Sequence, residues 1–560
     1  MSHSASVEIV ENLKNDPLDH LGDFTTTARV LPIAGLAVVI GVAAAYVAAG
    51  LLKLISFFTN FFFFQRFSTA QVSPAAHHLG PFVILVPVAG ALVIGFMARY
   101  GSERIRGHGI PEAIEAILMG GSSVEPKVAL LKPVSAAISI GSGGPFGAEG
   151  PIIMTGGAFG SLTAQLFHLT ATERKTLLVA GAAAGMSATF AAPVASVVLA
   201  VELLLFEWKP RSVIPVALAS VAAAAVRRHI LGLGPLFGVA QHPAFIGWEG
   251  LGGCVIVGLL AGVLSAMLTG AVYAAEDTFQ RLPIHWMWWP AIGGLIIGIG
   301  GFIFPQALGV GYDVIDRLLQ ANPPMRLIAG VLVVKSLIWA LSLGSGTSGG
   351  VLAPLLMMGA ALGGLEATIL PAEGAGFWPL VSMGAILGGT MRAPLTGVVF
   401  ALELTHDVNM LLPLLLAVTI AHGFTVLTLR RSILTEKISR RGYHLSREYS
   451  TDPLEIIFAR EVARQAEEAL VAEPGPHDVV AYADEPLRIV AYRMAETGVT
   501  RLRVVSRHDG TPIGIIELSD LLTARSRILE SEKRRERLLG TRAQLRAIAA
   551  MFGGDRRKTV

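Results

Sequence analysis

Residues 141–151 read GSGGPFGAEGP and break an apolar region with glycines, two prolines and a single acid, Glu149. Glycine and proline weaken or end helices, and a broken helix survives in lipid only where protein groups or a polar cavity satisfy its freed backbone groups. An apolar segment that begins IIM at Ile152 follows at once. The stretch therefore predicts that a buried helix starts near Glu149, with a carboxylate at its beginning.

The composition of the whole chain places this helix in a bilayer. Of the 560 residues, 53% are hydrophobic and 15% are charged, and the mean hydropathy is +0.61, which is too apolar for a soluble protein of this length. Apolar runs near or above the length of a membrane span recur at residues 30–52, 81–97, 177–205, 251–268, 327–343 and 411–429. The sequence predicts an all-α polytopic membrane protein.

Other functional classes are excluded by the same composition. The formal net charge of +3 is small and the sequence has no nucleic-acid signature. The single cysteine, Cys254, excludes a disulfide framework and a cysteine metal site. We expect no metal, and no enzymatic activity.

The chain divides into four predicted parts. Residues 1–29 are polar and carry both charge signs, which indicates a cytoplasmic tail. Residues 30–442 form the predicted membrane domain, residues 443–524 a small α/β cytoplasmic domain, and residues 525–560 a basic amphipathic tail for a partner or a membrane surface. The prediction is a multi-pass protein of the cell membrane with both termini in the cytoplasm.

The membrane domain contains an internal repeat, over about residues 30–235 and 248–442. Lys132, residues 141–143 (GSG) and Pro151 recur as Lys335, residues 344–346 (GSG) and Pro354, with the same spacings of nine and ten residues. Further on, AAPVASVVLAVEL (191–203) matches RAPLTGVVFALEL (392–404). Repeats with interrupted helices are typical of transporters, whose substrate binds at the repeat interface near the midplane of the membrane.

Breaks in the apolar runs are candidate anion sites. Prolines mark these breaks at Pro133, Pro145, Pro151, Pro193, Pro354 and Pro394. A glycine-rich break before a helix offers free N–H groups and the positive end of the helix dipole, which bind an anion without a full counter-charge. The candidate segments are GHGIPE (107–112), GAEGP (147–151) and GGVLAP (349–354), and their predicted anion-binding residues are Gly107, His108, Gly109, Ile110, Gly147, Ala148, Gly150, Gly350, Val351 and Leu352.

Glu149 occurs in one repeat only, because its counterpart in the second repeat is Leu352. An ionisable residue at membrane depth costs several kcal/mol and is by default a functional hypothesis. A carboxylate tethered at an anion site would occupy the site when ionised and leave it when protonated, which makes Glu149 a predicted gate. The alternative is a glutamate that caps a helix or forms an ion pair.

Four segments together resemble a known family. GHGIPEA (107–113), FGAEGPIIMTGG (146–157), GGVLAP (349–354) and SILTEKISRRG (432–442) are similar, in order and spacing, to signature segments of the CLC family of chloride channels and chloride/proton exchangers. The resemblance covers about residues 30–442. It implies inverted repeats, a homodimer with one pore in each subunit, helix N-termini directed at bound chloride, Glu149 as the gating glutamate, and Val351 and Leu352 as backbone donors to the central anion.

The sequence departs from that family pattern at three positions. His108 stands where the family usually has serine or proline, Leu434 where it has a coordinating tyrosine, and Leu203 where exchangers carry an inner proton-relay glutamate. Backbone donors could still hold an anion, and His108 could add an N–H group or, when protonated, a positive charge. Selectivity among chloride, nitrate, bicarbonate and fluoride is therefore left open.

Two further sets of charged residues allow two interpretations each. Glu202 lies beside Leu203 and could move protons, but its counterpart Glu403 indicates equally well a shared structural carboxylate at a helix end. Lys132 and Lys335 could make the pore entrances positive, or each could tie helices together through carbonyl oxygens.

The resemblance implies transport of chloride or a similar small anion, gated by a protonatable glutamate and with some proton coupling. Passive conduction without coupling and selectivity for another anion are the alternatives. A more remote one is a membrane-embedded ligand sensor, which the absent hydroxyl side chains and the cytoplasmic domain allow.

Residues 478–524 predict a helix, two strands and a helix, with a hairpin at Asp509-Gly510. This pattern resembles one CBS motif, a module that usually pairs and often binds adenine nucleotides. The resemblance implies nucleotide contacts at Thr500, Ser519 and Asp520, with Asp520 on the ribose. Only one repeat is evident, so the alternative is a structural dimerisation module.

Overall fold

The computed structural model describes residues 24, 26–243, 245–320, 322–443, 445, 452–465 and 479–533. They belong to two compact units, of which the first is Phe24–Arg447 and the second includes Glu448–Val560. Most of the predicted N-terminal tail and the predicted C-terminal tail beyond residue 533 lie outside the described residues.

The first unit is helical throughout. Its α-helices are α1 Val30–Phe64, α2 Leu85–Tyr100, α3 Ile110–Leu118, α4 Pro126–Gly141, α5 Glu149–Gln165, α6 Ala171–Phe190, α7 Pro193–Leu199, α8 Pro210–Ile230, α9 Trp248–Gln280, α10 Trp289–Ile303, α11 Tyr312–Leu319, α12 Met325–Ala329, α13 Ser336–Gly344, α14 Leu352–Glu366, α15 Phe377–Met391, α16 Pro394–Thr405, α17 Leu411–Thr428 and α18 Ile433–Arg440. Two π-helical segments, Ala200–Leu205 and Gly330–Lys335, extend α7 and connect α12 to α13.

Seven helical segments are long and apolar enough to cross a membrane, among the residues that the structure describes. They are Val30–Phe64, Gly80–Tyr100, Pro210–Ile230, Trp248–Gln280, Trp286–Ile303, Met325–Gly344 and Val408–Arg440. The prediction of a multi-pass, mostly helical membrane protein is confirmed.

Two local predictions from the sequence are wrong. The apolar run at 177–205 is not one span, because α6 ends at Phe190, Ala191 adopts a left-handed conformation (φ 57°) and Pro193 starts α7. Proline suits the first turn of a new helix, where its missing N–H group is not needed. Pro133, by contrast, lies inside α4 and does not end it, as prolines do where surrounding protein satisfies the freed backbone groups.

Small residues let the buried helices of this unit approach closely. A Cβ atom on Gly156 of α5 would lie 2.3 Å from the carbonyl oxygen of Gly181 on α6. Any side chain at Gly156 would push the two helices apart. Such contacts are the usual means of packing helices in a membrane, where lipid supplies no hydrophobic force between them.

The second unit is a small α/β module. Its three-stranded sheet contains β1 Val480–Tyr482, β2 Arg501–Val505 and β3 Pro512–Glu517, with β2 in the centre. The strand β1 pairs parallel to β2, and β2 pairs antiparallel to β3. Its helices are α19 Pro453–Ile456, α20 Ala459–Val462, α21 Leu487–Thr497 and α22 Leu518–Lys533.

The order of helix, hairpin and helix in this module is as predicted, with two differences. The sequence did not indicate β1, which is only three residues long. The helix α22 continues to Lys533, past the predicted boundary at residue 524. At the hairpin turn the side chain of Asp509 accepts hydrogen bonds from the Thr511 N–H and hydroxyl groups, at 3.3 and 2.9 Å. Hydrogen bonds from Ser506 and Thr511 hold the pKa of Asp509 below its ordinary value.

Candidate functional site

The two glycine-rich breaks meet in the middle of the first unit. The N–H group of Gly147 donates to the carbonyl oxygen of Gly350 at 3.0 Å, and the N–H group of Gly350 donates to the carbonyl oxygen of Gly147 at 2.8 Å. A Cβ atom on Gly350 would lie 2.7 Å from that Gly147 oxygen. The absence of a side chain therefore allows the two repeats to join here, so that α5 and α14 begin beside one another.

This pairing corrects part of the predicted anion site. The N–H groups of Gly147 and Gly350 are not free, because each is hydrogen bonded to the other segment. The N–H group of Gly109 is also occupied, by the Glu112 carboxylate at 2.8 Å. These three glycines position the helix starts instead of offering N–H groups to an anion.

The third predicted segment joins the same place. A Cβ atom on Gly109 would lie 2.4 Å from the carbonyl oxygen of Gly150, and one on Gly150 would lie 1.7 Å from the carbonyl oxygen of His108. Gly107 and Gly109 both have positive φ angles, 86° and 91°, which glycine adopts without strain. The segments 107–110, 147–150 and 350–352 thus converge, as their sequence predicts for a shared site.

Glu149 is fully buried at the first position of α5. One carboxylate oxygen, Oε1, accepts the N–H group of Ala353 in the first turn of α14, at 3.0 Å. The other oxygen, Oε2, is buried and has no hydrogen-bond partner among the described residues. The side chain therefore occupies the N-terminus of α14, where the sequence predicts an anion.

Proline limits the number of donors at this N-terminus. The residue two positions after the start of each helix is proline, Pro151 in α5 and Pro354 in α14. Since proline has no N–H group, the donors in the first turn of α14 are the N–H groups of Leu352 and Ala353. Val351 precedes the helix, and its carbonyl oxygen accepts from Leu355. The site is built from backbone donors.

His108 lies within this convergence and is 2% exposed. Its Nδ1 atom is buried and has no hydrogen-bond partner among the described residues. Ile110 starts α3 two residues later, after Gly109. A buried imidazole with an unused ring nitrogen offers either a donor or an acceptor to a ligand, according to its tautomer.

Leu434 is fully buried at the second position of α18. The side chain of Lys437, one turn later, forms a 2.9 Å ion pair with Glu112 of α3, and a Cβ atom on Gly107 would lie 2.2 Å from its Nζ atom. These contacts hold α18 against α3. Leu434 brings no hydroxyl group to this region, as its sequence shows.

The two duplicated lysines make equivalent contacts. The Nζ atom of Lys132 donates to the carbonyl oxygens of Ile105 and Gly107, both at 2.8 Å. The Nζ atom of Lys335 donates to those of Ala307 and Gly309, at 2.9 and 2.7 Å. Both lysines are fully buried. These bonds favour the interpretation in which each lysine ties segments together through carbonyls.

These contacts expose a repeat match that we did not identify from the sequence. GHGI at 107–110 corresponds to GVGY at 309–312, since the bonded carbonyls in the two halves are both offset by 202 residues. Helix α11 is therefore the counterpart of α3, and Tyr312 is the counterpart of Ile110. Each helix follows a glycine with positive φ, Gly109 at 91° and Gly311 at 78°.

Tyr312 is a candidate site residue that sequence reasoning missed. Its ring packs edge-on against Phe190 and Phe237, with centroids 6.3 and 6.2 Å away. Its hydroxyl group is buried and has no hydrogen-bond partner among the described residues. Tyr312 begins α11, which packs against α14. The match between GHGI and GVGY was the available signal.

Glu202 and Glu403 form a second reciprocal arrangement. Glu202 accepts the N–H groups of Leu395 and Thr396 at the start of α16, at 3.2 and 2.9 Å. Glu403 accepts the N–H groups of Val194 and Ala195 at the start of α7, at 3.0 and 2.7 Å. This arrangement favours the structural interpretation of Glu202. Leu203, at the position of the usual relay glutamate, is fully buried.

One cavity of the first unit reaches the converging segments at Gly107, and another contains Tyr312. The arginine cavity, of about 540 Å³, is lined by Arg104, Arg106, Gly107, Gly346, Lys437, Arg440 and Arg441, with Glu103 and Glu276 as its acids. Arg106 lies over the ring of Trp286 at 4.5 Å. The tyrosine cavity, of about 450 Å³, is lined by Gln71, Gly309, Gly311, Tyr312, Asp313 and Asp316, among others. Positive charges outnumber negative ones in the arginine cavity, which favours anions there.

The side chain of Asp520, a predicted nucleotide contact, forms contacts within the second unit. Its Oδ2 atom accepts the N–H group of Glu517 at 2.9 Å, which closes the start of α22, and its Oδ1 atom pairs with Arg464. The carboxylate is buried, and in this conformation both of its oxygen atoms are used within the module. Thr500 and Ser519 are exposed, and the Leu518 N–H group donates to the Thr500 carbonyl oxygen at 2.9 Å.

Fold and site together define a membrane transport protein, built from two repeats whose interrupted helices meet at a buried carboxylate. The chain matches the family model of the voltage-gated chloride channels over residues 89–426 and that of the CBS domain over residues 474–527. It belongs to this channel family, the CLC family, and carries a C-terminal CBS domain. The resemblance seen in the sequence is confirmed.

Similar proteins include, by name, a channel and an exchanger. The chain is 32% identical over 344 residues to a putative chloride channel protein, ClcB-like, from Ralstonia nicotianae, which covers 60% of this chain and 80% of the relative. It is 30% identical over 407 residues to the H(+)/Cl(-) exchange transporter ClcA of Salmonella schwarzengrund, which covers 69% and 84%.

Solved structures share the fold. A slow cyanobacterial Cl-/H+ antiporter matches with a TM-score of 0.65 and 23% identity, over 74% of this chain and 99% of that one. A CLC-type fluoride/proton antiporter matches with a TM-score of 0.62 and 19% identity, over 73% and 98%. At these identities the structures establish the fold of the membrane unit and leave the transported ion open.

Proposed function

We propose that this CLC-family anion transport protein moves chloride or a similar small anion, that Glu149 is its protonatable gate, and that proton movement is partly coupled to anion movement. The observation that carries the proposal is the hydrogen bond from the Ala353 N–H group, at the N-terminus of α14, to the Glu149 carboxylate, at 3.0 Å. A carboxylate that uses a helix N-terminus competes with any dissolved anion for the same donors.

The gate works by exchange of one negative group for another. Ionised Glu149 accepts from α14 and closes the site. Protonation removes its negative charge, so the dipole and N–H groups of α14 no longer hold it and an anion takes its place. The relatives named as proton exchange transporters and the fluoride/proton antiporter of the same fold support coupling of this kind.

We expect the coupling to be loose. Leu203 cannot carry a proton, and Glu202 already accepts hydrogen bonds from Leu395 and Thr396. A passive channel is the second candidate function, and it rests on these same two observations. Selectivity is set by backbone donors and His108, since Leu434 supplies no hydroxyl group.

Reversal potentials of the protein in planar bilayers, under a chloride gradient and then an added pH gradient, separate the two candidates. Loose coupling predicts a measurable shift with pH that is smaller than that of a fixed stoichiometry. No shift at all would establish the passive channel. Flux in liposomes with Glu149→Gln as the comparison tests the gate itself.

Absence of anion flux under chloride, nitrate, bicarbonate and fluoride gradients would instead favour the ligand sensor. The same liposome panel identifies the preferred anion. Liposomes without protein and liposomes with heat-denatured protein are the controls for leak.

We further propose a homodimer in the cell membrane with both termini in the cytoplasm, and a structural role for the CBS module in pairing. Cross-linking in native membranes tests the dimer, and protease access in sealed vesicles tests the orientation.

An adenine nucleotide is the candidate ligand of the CBS module. Calorimetric titration with ATP, compared with the Thr500→Ala variant, tests this ligand. The exposed Thr500 and Ser519 support a nucleotide site. The existing contacts of Asp520 argue against a contact with the ribose.

A further inference from the structure

Glu149 and Tyr312 present a buried acceptor and a buried donor without partners. The Oε2 atom of Glu149 and the hydroxyl group of Tyr312 are both enclosed, and neither has a hydrogen-bond partner among the described residues. Both segments pack against α14: Glu149 accepts a hydrogen bond from the Ala353 N–H group in its first turn, and a Cβ atom on Gly311, next to Tyr312, would lie 2.1 Å from the Met357 side chain. A buried polar group without a partner is costly, so two such groups on segments that pack against the same helix indicate a second state in which they are satisfied.

The hydroxyl group is the fixed member of this pair. Tyr312 begins α11 directly after Gly311, and a Cβ atom on Gly311 would lie 2.1 Å from the Met357 side chain of α14. Its ring is held between Phe190 and Phe237. The close packing of α11 on α14 and the two aromatic contacts restrict the ring, whereas the carboxylate of Glu149 is attached through three rotatable side-chain bonds.

The hydroxyl group, like the glutamate, is present in one repeat only. The counterpart of Tyr312 is Ile110, and the counterpart of Glu149 is Leu352. The shared architecture therefore demands neither group. Both belong to the asymmetric part of the site, and Tyr312 also lines the tyrosine cavity.

We propose that the Tyr312 hydroxyl group is the second seat of the gate: it donates a hydrogen bond to Glu149 when an anion occupies the N-terminus of α14. The inference rests on the proposed function, because it assumes that Glu149 leaves α14. Tyr312 acts as a positioning residue, and it stabilises the open gate by holding the displaced, protonated carboxyl group.

Removal of the hydroxyl group then biases Glu149 toward α14 and weakens anion binding. Tyr312→Phe deletes only the hydroxyl group and keeps the ring. The hydrogen bond from the Tyr312 hydroxyl group to the displaced carboxyl group is lost, so we expect the chloride affinity of the purified protein to fall about fivefold. When Glu149 is already replaced by glutamine, we expect Tyr312→Phe to change the chloride affinity by less than about twofold, because glutamine carries no charge that competes with the anion.

The experiment is a double-mutant cycle on Glu149→Gln and Tyr312→Phe, measured by calorimetric chloride titration and by flux in liposomes. Tyr46→Phe is the matched control, because it removes the same hydroxyl group from a residue that is 61% exposed. Melting temperatures of all variants show whether packing has changed.

Each outcome decides the proposal. An equal loss of affinity in both backgrounds would mean that the hydroxyl group acts on the anion or on packing, and unchanged affinity in Tyr312→Phe would mean that it holds nothing; either result overturns the second seat and leaves the proposed function intact. A wild-type protein that neither binds nor transports chloride or the other anions overturns both proposals.

Discussion

Glu202 and Glu403 each close the start of a helix in the opposite repeat. Glu202 accepts from Leu395 and Thr396 of α16, and Glu403 accepts from Val194 and Ala195 of α7. Each repeat thus supplies one glutamate to a helix start of the other repeat. A helix start needs acceptors for its free N–H groups, and the two carboxylates supply them here.

This relationship predicts that Glu202 supports stability and not proton movement. Replacing Glu202 by alanine removes the acceptor for two N–H groups, so we expect a loss of about 0.5–2 kcal/mol in the free energy of unfolding. Glu403→Ala should lose a similar amount. Thermal unfolding in detergent measures both.

The same variants separate the two interpretations of Glu202. We expect Glu202→Gln, which keeps one acceptor oxygen, to leave the pH-dependent shift of the reversal potential unchanged. Loss of that shift in Glu202→Gln, with the shift retained in Glu403→Gln, would assign a proton role to Glu202.

The buried lysines should be essential for folding. Each of Lys132 and Lys335 donates to two carbonyl oxygens, and a methionine in their place would leave those carbonyls unpaired. We expect Lys132→Met and Lys335→Met each to destabilise the protein by about 3 kcal/mol or more. The exposed Lys53, replaced by methionine, is the control. If both variants melt at the same temperature as Lys53→Met, the hydrogen bonds of the buried lysines do not stabilise the fold.

Anion flux should rise as the pH falls. Protonation of Glu149 releases it from the Ala353 N–H group and opens the site, so acid increases the open fraction. We expect this dependence to disappear in Glu149→Gln, which resembles the protonated form at every pH. Flux measured between pH 4 and pH 8, with Glu249→Gln as an exposed control, tests the direction; a wild-type flux that falls in acid would contradict the gate.

Arg106 should assist the capture of anions in the arginine cavity. Its guanidinium lies on Trp286, and its buried Nε atom has no hydrogen-bond partner among the described residues. Attraction of this kind raises the local anion concentration and is weakened by salt. We expect Arg106→Gln to raise the chloride concentration for half-maximal flux severalfold at low ionic strength, with the maximal flux unchanged.

The control for this prediction is the exposed Arg326→Gln, which removes the same charge outside the cavity. A lower maximal flux in Arg106→Gln, with the half-saturating concentration unchanged, would indicate that Arg106 supports the fold instead.

Local patterns in the sequence predicted the class of fold and the place of the site. Apolar runs must be long enough to cross lipid, and broken helices in lipid must be satisfied by protein, so composition and the breaks at 107–112, 147–151 and 349–354 were informative. Identical spacings around Lys132 and Lys335 disclosed the repeat. Predictions failed where a neighbouring conformation decided, as at Ala191, whose left-handed backbone splits the run at 177–205.

The sequence by itself determined that this protein is a membrane protein of two repeats, with one carboxylate at a broken helix. Only the tertiary structure decided how the polar groups are used: Gly147 pairs with Gly350, Glu202 accepts hydrogen bonds from the start of α16, and Glu149 occupies the N-terminus of α14. The physical reason is that hydropathy and helix breaks are local properties of a chain, whereas a hydrogen bond depends on a partner that here lies about two hundred residues away.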